Sequence, residues 1–260
     1  MIGVLPCGAT DATLLDTGYQ RMYDLQFDGA HRSFRQWEQL HPDDPLGPVS
    51  DAAAYLFAEF DRMQILESEF FVDNDSFLQI HRLNPDPALK ASFESALAKG
   101  QLLADRVLQR SPHDENALLA TVLRLGLHAD YLALVEKRYL ASLSELKQGR
   151  DVARTLLAAH PECYDAYLAI GVENYLLSLK PAPIRWLLRV GGAQTDKEAG
   201  IANLRLTAGK GRYLLPYARL LLAVAALRDN NRPQAKRTLV WLAEAYPQNR
   251  LYREELAKLP

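Results

Sequence analysis

Cysteine is nearly absent: Cys7 and Cys163 are the only two in 260 residues. Two thiols can neither staple a small secreted scaffold nor complete a four-cysteine zinc site. Both read as reduced and unpaired, with a single disulfide as the alternative. That usage favours a cytoplasmic chain, and an exported one whose leader has been removed is the other possibility. The opening stretch from Met1 to Ala9 is apolar, but it has no positive flank and is too short for an export signal. An excess of either charge is also lacking. The 30 basic and 32 acidic side chains nearly cancel, which leaves no global field to hold nucleic acid. Long hydrophobic runs are missing as well. The longest, Leu214 to Leu227, is interrupted by Pro216 and Arg219 and falls short of the roughly 20 residues a spanning helix needs. A soluble chain without a transmembrane segment is expected.

Catalytic, metal and cofactor motifs are equally scarce. His31, His41, His81, His113, His128 and His160 never form a close ligand pair. Asp73-Asn74-Asp75 begins like a calcium loop but lacks the turn glycine and the closing glutamate, since position 84 is Asn84. Gly209-Lys210-Gly211-Arg212 lacks the earlier glycine and the hydroxyl residue of a phosphate loop, and no strand pattern precedes it. It reads as a helix end, with glycine in a left-handed cap and Lys210 and Arg212 near exposed carbonyls. No metal, cofactor or nucleotide is implied.

What the chain does have is a recurrence. Four times a small residue is followed four positions later by a helix-packing residue and twelve positions later by proline. The sets are Ala30/Phe34/Pro42, Gly100/Ala104/Pro112, Gly149/Ala153/Pro161 and Ala235/Leu239/Pro247. A small residue lets two helices cross closely, apolar residues one turn on fill the contact, and proline ends the helix. The prolines are 70, 49 and 86 residues apart, against a period of ~34 for this repeat class. The first gap therefore holds a degenerate repeat, whose first helix is expected over 49–65 and whose region 67–84 reads as a short helix plus a loop. The second holds an elongated hairpin, with helices over 116–127 and 130–160, the latter broken near Gly149. The third holds two repeats and an insertion near 178–195, where Pro181, Pro183, Gly191 and Gly192 bracket a short helix. Asp229-Asn230-Asn231 joins the last hairpin through residues that tolerate left-handed backbone, and a capping helix is expected over 248–258.

These residues resemble the tetratricopeptide repeat superfamily over nearly the whole length. The resemblance implies an all-α solenoid of helical hairpins: one domain over 1–260, about five hairpins curved into a right-handed arc. A narrower likeness over 177–206, carried by Trp186-Leu187-Leu188, Gly191-Gly192, Thr195-Asp196-Lys197 and Gly200-Ile201, is similar to the inclusion-body-clearance family of tetratricopeptide proteins. Those proteins are associated with organelle surfaces and lipid droplets, and the likeness implies no enzymatic activity.

In that superfamily a partner lies along the concave face made by the first helices. Counting back from the prolines, that face includes Leu15, Tyr19, Met22, Asn116, Leu119, Leu123, Asp165, Leu168, Val172 and Tyr175. It is mainly apolar, which disfavours recognition of a terminal carboxylate. The expected function is a non-catalytic scaffold or adaptor holding a protein segment or an apolar ligand. The contact candidates are Tyr19, Tyr131, Glu173, Asn174, Tyr175, Arg185 and Trp186. The bland reading of Glu173, Asn174 and Tyr175 is that they tie the insertion down by hydrogen bonds and an ion pair. The segment Lys180 to Val190 also suggests peripheral membrane contact, though internal packing ranks ahead of it. Self-association through the outermost hairpins is a further possibility. The rival from another class is a hydrolase or transferase with a central cavity built from His128, Asp130, Glu136 and Glu173.

Overall fold

The computed structural model describes residues 13–65, 84–178 and 196–259, and among these there is no β-strand. Among the described residues ten helices pack in pairs: α1 (Leu14–Tyr23) with α2 (Phe27–Leu40), α3 (Leu46–Arg62) with α4 (Pro87–Arg110), α5 (Glu115–Asp130) with α6 (Tyr139–Ala159), α7 (Tyr167–Ser178) with α8 (Lys197–Lys210), and α9 (Leu215–Arg228) with α10 (Arg232–Ala245). Each pair also packs on the next, and α11 (Arg250–Ala257) closes the row against α10.

Four of the second helices end in the same way. The residue before each proline adopts nearly the same backbone: His41 at φ −131° and ψ 68°, Ser111 at −136° and 82°, His160 at −133° and 74°, Tyr246 at −128° and 71°. The proline ring excludes the helical region for the residue before it, so the chain leaves the helix there. Two residues after each proline an N–H returns to the carbonyl before it: Asp44 to His41, Asp114 to Ser111, Cys163 to His160 and Asn249 to Tyr246, all at 3.0–3.1 Å. Asp44, Asp114 and Asn249 then accept N–H groups of the following helix. One proline turn thus stops a helix and caps the next.

First helices end differently. Leu25, Gln64, Lys137 and Asn230 are the non-glycine residues with positive φ among those described, at 56–60°. Each follows α1, α3, the extension of α5, or α9. Asn231 N–H bonds Ala226 O at 2.7 Å and Gln26 N–H bonds Arg21 O at 2.8 Å, the six-residue closure of a left-handed helix end. The expected left-handed turn at Asn230 is therefore present, and three less obvious residues adopt the same geometry.

At the first crossing, a Cβ on Gly18 would come within 2.2 Å of the Phe34 ring, so only glycine admits α2. In the fourth pair Gly171 and Gly200 face each other, and a Cβ on Gly200 would lie 2.8 Å from the Tyr175 backbone nitrogen.

Three expectations need correction. The turn of the third hairpin lies at 136–138 rather than near Asp130. The surplus length goes into the first helix, which continues through a wider turn, Tyr131–Val135, closed by Glu136 N–H to Tyr131 O. Gly149 does not break α6. It is buried where Leu125 crosses, and helix continues on both sides. Gly211 is not left-handed either: φ is −60° and ψ 150°. Its missing side chain instead makes room for the Asp165 carboxylate, which a Cβ would meet at 2.7 Å. The expected short helix near 67–84 and the insertion lie almost wholly outside the described residues.

The row does not stay open. Tyr19 of α1 stacks on Tyr213, Tyr23 packs against Tyr246, and Phe57 of α3 meets Tyr217 of α9. Asn249 donates to Tyr23 O at 2.8 Å, and Arg250 pairs with Asp61 at 2.8 Å. One hydrophobic core accordingly runs from Leu15 to Tyr252. Among the described residues, Glu115–Val135 has the length and apolarity of a membrane span. It is packed against α3, α4 and α6 instead, and 56% of its most apolar stretch is buried. Its apolarity is that of a core helix wrapped by neighbours.

Candidate functional site

Where the first hairpin meets the last, the inner faces of the first helices, with Leu146 and Gly149 of α6, surround a central cavity. Tyr19, Met22 and Tyr23 of α1, Ala53 and Phe57 of α3, Leu123, Gly126 and Asp130 of α5, Leu168 and Val172 of α7, and Tyr217 of α9 contribute to its wall. It contains about 780 Å³ of space not filled by protein atoms, part of it open to solvent. Along α5 the lining residues Val122, Leu123, Gly126, Leu127 and Asp130 recur every three or four positions, which places them on one helix face. A Cβ at Gly126 would meet nothing within 4 Å.

Two carboxylates interrupt the apolar wall, and their surroundings differ. Asp165 is buried and accepts three backbone N–H groups, from Arg212 at 3.2 Å, Tyr213 at 3.1 Å and Leu214 at 3.0 Å. Burial raises its pKa, and the three N–H groups work in the opposite direction. Its role is architectural, since it anchors the turn before α9. Asp130 has a single described hydrogen bond, donated by the Tyr217 hydroxyl at 3.2 Å. Deep burial raises its carboxyl from 3.8 to about 7, against the lowering effect of that bond. By exposed area it is only partly buried, and it lines the cavity. No lysine, arginine or histidine is among the described residues of the wall.

Of the residues singled out in the sequence, Tyr19 lines this cavity, as do Met22, Leu123, Asp165, Leu168 and Val172 from the concave face. Tyr19 is buried, accepts a hydrogen bond from Ser50 at 3.1 Å and stacks on Tyr213. Tyr131 is buried against Phe93 and lies on the wider turn after α5. Glu173 is buried and paired with Arg150 of α6 at 2.8 Å, so the ion pair expected with the insertion is made to a neighbouring helix. Asn174 and Tyr175 are buried too, Tyr175 in a smaller cluster with Leu204, Ala208 and Leu222. Arg185 and Trp186 lie outside the described residues.

The rival catalytic set is not assembled. His128 pairs with Glu145 at 3.1 Å and Glu136 with Lys90 at 2.6 Å, while Glu173 is held by Arg150. Asp130 alone of the four lines the cavity. No group of three metal-ligating side chains occurs among the described residues.

No protein-family model and no curated protein matches this chain. The site must therefore be interpreted from its own chemistry. Sequence reasoning missed Tyr217, Tyr23, Phe57 and Gly126. Gly126 had a legible signal, a glycine inside a helix on the face shared by Leu123 and Asp130. Tyr217 had none, because it meets Asp130 only through the closure of the row.

Proposed function

We propose that this chain is a tetratricopeptide-like binding protein that works without catalysis and encloses a small, largely apolar ligand on its inner face. The observation that carries this reading is the cavity itself, toward which the first helices of successive hairpins each turn one apolar face. The four proline turns support the repeat assignment because each occupies the same place, joining the second helix of one pair to the helix that follows it. Gly126 supports the ligand. Glycine within a helix costs about 1 kcal/mol relative to alanine, and no neighbour forbids a side chain there. Of the two occupants considered, a protein segment needs an open groove. The stacking of Tyr19 on Tyr213 narrows that groove, which favours a compact ligand.

The test is to fill the space. Wild type is titrated calorimetrically with 1-naphthylmethanol and 1-naphthylmethylamine, beside Gly126→Ala and Gly126→Leu. Binding of at least one probe at about 10–100 μM is expected for a ligand of this size. It should be retained in Gly126→Ala and weakened at least tenfold in Gly126→Leu. Failure of both probes to bind a folded wild type would overturn the proposal.

A further inference from the structure

We propose that the ligand of the central cavity is an ammonium compound, an aromatic or aliphatic body bearing a protonated amine that pairs with Asp130. The inference rests on the cavity being a ligand site and adds the chemical class of what it takes.

Three observations converge on a cation. Asp130 presents a carboxylate to the cavity with one described protein partner, the neutral Tyr217 hydroxyl at 3.2 Å. A carboxylate removed from bulk water with so few donors is poorly stabilised by the protein, and an added cation would supply what is missing. The other carboxylate of the wall, Asp165, is already satisfied by three backbone N–H groups, so Asp130 is the wall carboxylate with the fewer described donors. Second, the described wall contains no basic side chain that could neutralise Asp130 from within. Third, the rest of the wall is rich in rings: Tyr19, Tyr23, Phe57 and Tyr217. Rings in such a wall bury the hydrocarbon of an alkylammonium ion, and a ring face open to the cavity attracts its charge through the quadrupole. An anionic ligand meets two carboxylates here and no cation among the described residues, and a neutral ligand leaves the ionised form of Asp130 without a counter-charge. The Tyr217 hydroxyl, donating to one carboxylate oxygen, holds the group in place and leaves the second oxygen for the ammonium. No bond is made or broken in this step.

The experiment compares two probes of nearly equal shape, 1-naphthylmethylamine and 1-naphthylmethanol, by calorimetry at pH 8, where the amine is charged and the Asp130 carboxylate is ionised. Wild type should bind the amine at least tenfold more tightly than the alcohol. In Asp130→Asn, which preserves shape and the acceptor for Tyr217, the two affinities should become equal within about threefold, with the alcohol unaffected. Circular dichroism establishes that the variant is folded, and Asp130→Leu provides a second comparison should the asparagine form be unstable. Equal affinity of wild type for both probes would overturn the ammonium assignment while leaving the cavity as a site for neutral ligands. An amine preference that persists in both folded variants would place the cation elsewhere and also overturn it. Failure of both probes to bind would remove the cavity reading along with it.

Discussion

Tyr19 and Tyr213 stack with ring centroids 4.8 Å apart and planes inclined by 24°, joining the first helix to the turn before the ninth across most of the chain. Both rings are buried, and Tyr19 also meets the edge of Phe34 at 5.3 Å. Tyr19 therefore belongs to the cavity wall and, through Tyr213, to a clasp between the two ends of the row. Tyr213→Ala should lower stability by about 3 kcal/mol, the usual cost of truncating a buried aromatic. Tyr213→Phe should cost less than about 1 kcal/mol, because it keeps the stack. Urea unfolding of the two variants beside wild type checks this, and equal losses in both would show that the stack is not what matters.

Asp130 makes stability depend on pH in an unusual direction. Its carboxyl is raised by burial from 3.8 to about 7, so the folded chain binds this proton more tightly than the unfolded one. The resulting stabilisation is full below about pH 4 and is lost as pH rises through about 7. Asp130→Asn removes the ionisable group while keeping an acceptor for Tyr217. The variant should match wild type below about pH 4 and exceed it by about 1–3 kcal/mol at pH 8, where the shift itself sets an upper bound of about 4 kcal/mol. Denaturation of both proteins at each pH measures the difference, and a constant offset would contradict the assignment.

Asp16 behaves in the opposite sense. Burial acts to raise its carboxyl, but the Arg212 guanidinium, bonded to both oxygens at 2.8 Å, and Thr13 outweigh that and hold it at about 2. This contribution is present above about pH 4 and disappears as pH falls through about 2. Arg212 is half exposed, so screening limits the pair to about 1 kcal/mol. Arg212→Gln should lose about that amount at pH 7 in low salt and less in 1 M salt. A loss insensitive to salt would show that Arg212 acts by packing.

Arg150 and Glu173 form a pair in which both side chains are buried. Removing only the cation strands a carboxylate whose pKa burial already raises. Arg150→Met should therefore cost about 3–5 kcal/mol, whereas Arg150→Met combined with Glu173→Leu should recover most of it. The double-mutant cycle in urea decides. If the double variant is no better than the single, the damage comes from lost shape rather than stranded charge.

The proline turns were legible because their cause is local: Pro42, Pro112, Pro161 and Pro247 each constrain the residue before them whatever surrounds it. The concave face was legible for a related reason. Once the period is known, counting places Tyr19, Met22, Leu123, Leu168 and Val172 on the inner side. The ends of the first helices were harder to foresee. Only Asn230 belongs to a type at ease with positive φ, while Leu25, Gln64 and Lys137 are held there by the bonds that close their helices. The break expected at Gly149 failed because a glycine can serve a close crossing as well as a kink, and sequence does not distinguish the two. Glu173 was marked as notable, but its partner Arg150 lies on a different hairpin, where helix packing rather than spacing decides which charges meet.

By itself the sequence determined the helical hairpins, their order and which side of each is oily, since these follow from periodicity and from prolines acting over a few residues. Only the tertiary structure decided how far the row curls. That curl is the sum of small rotations at every crossing, and it brings Tyr19 onto Tyr213 and Tyr217 onto Asp130. A concave strip thereby becomes a partly closed cavity with a sparsely bonded carboxylate in its wall, because the distance between the ends depends on all the interfaces at once and on no single segment.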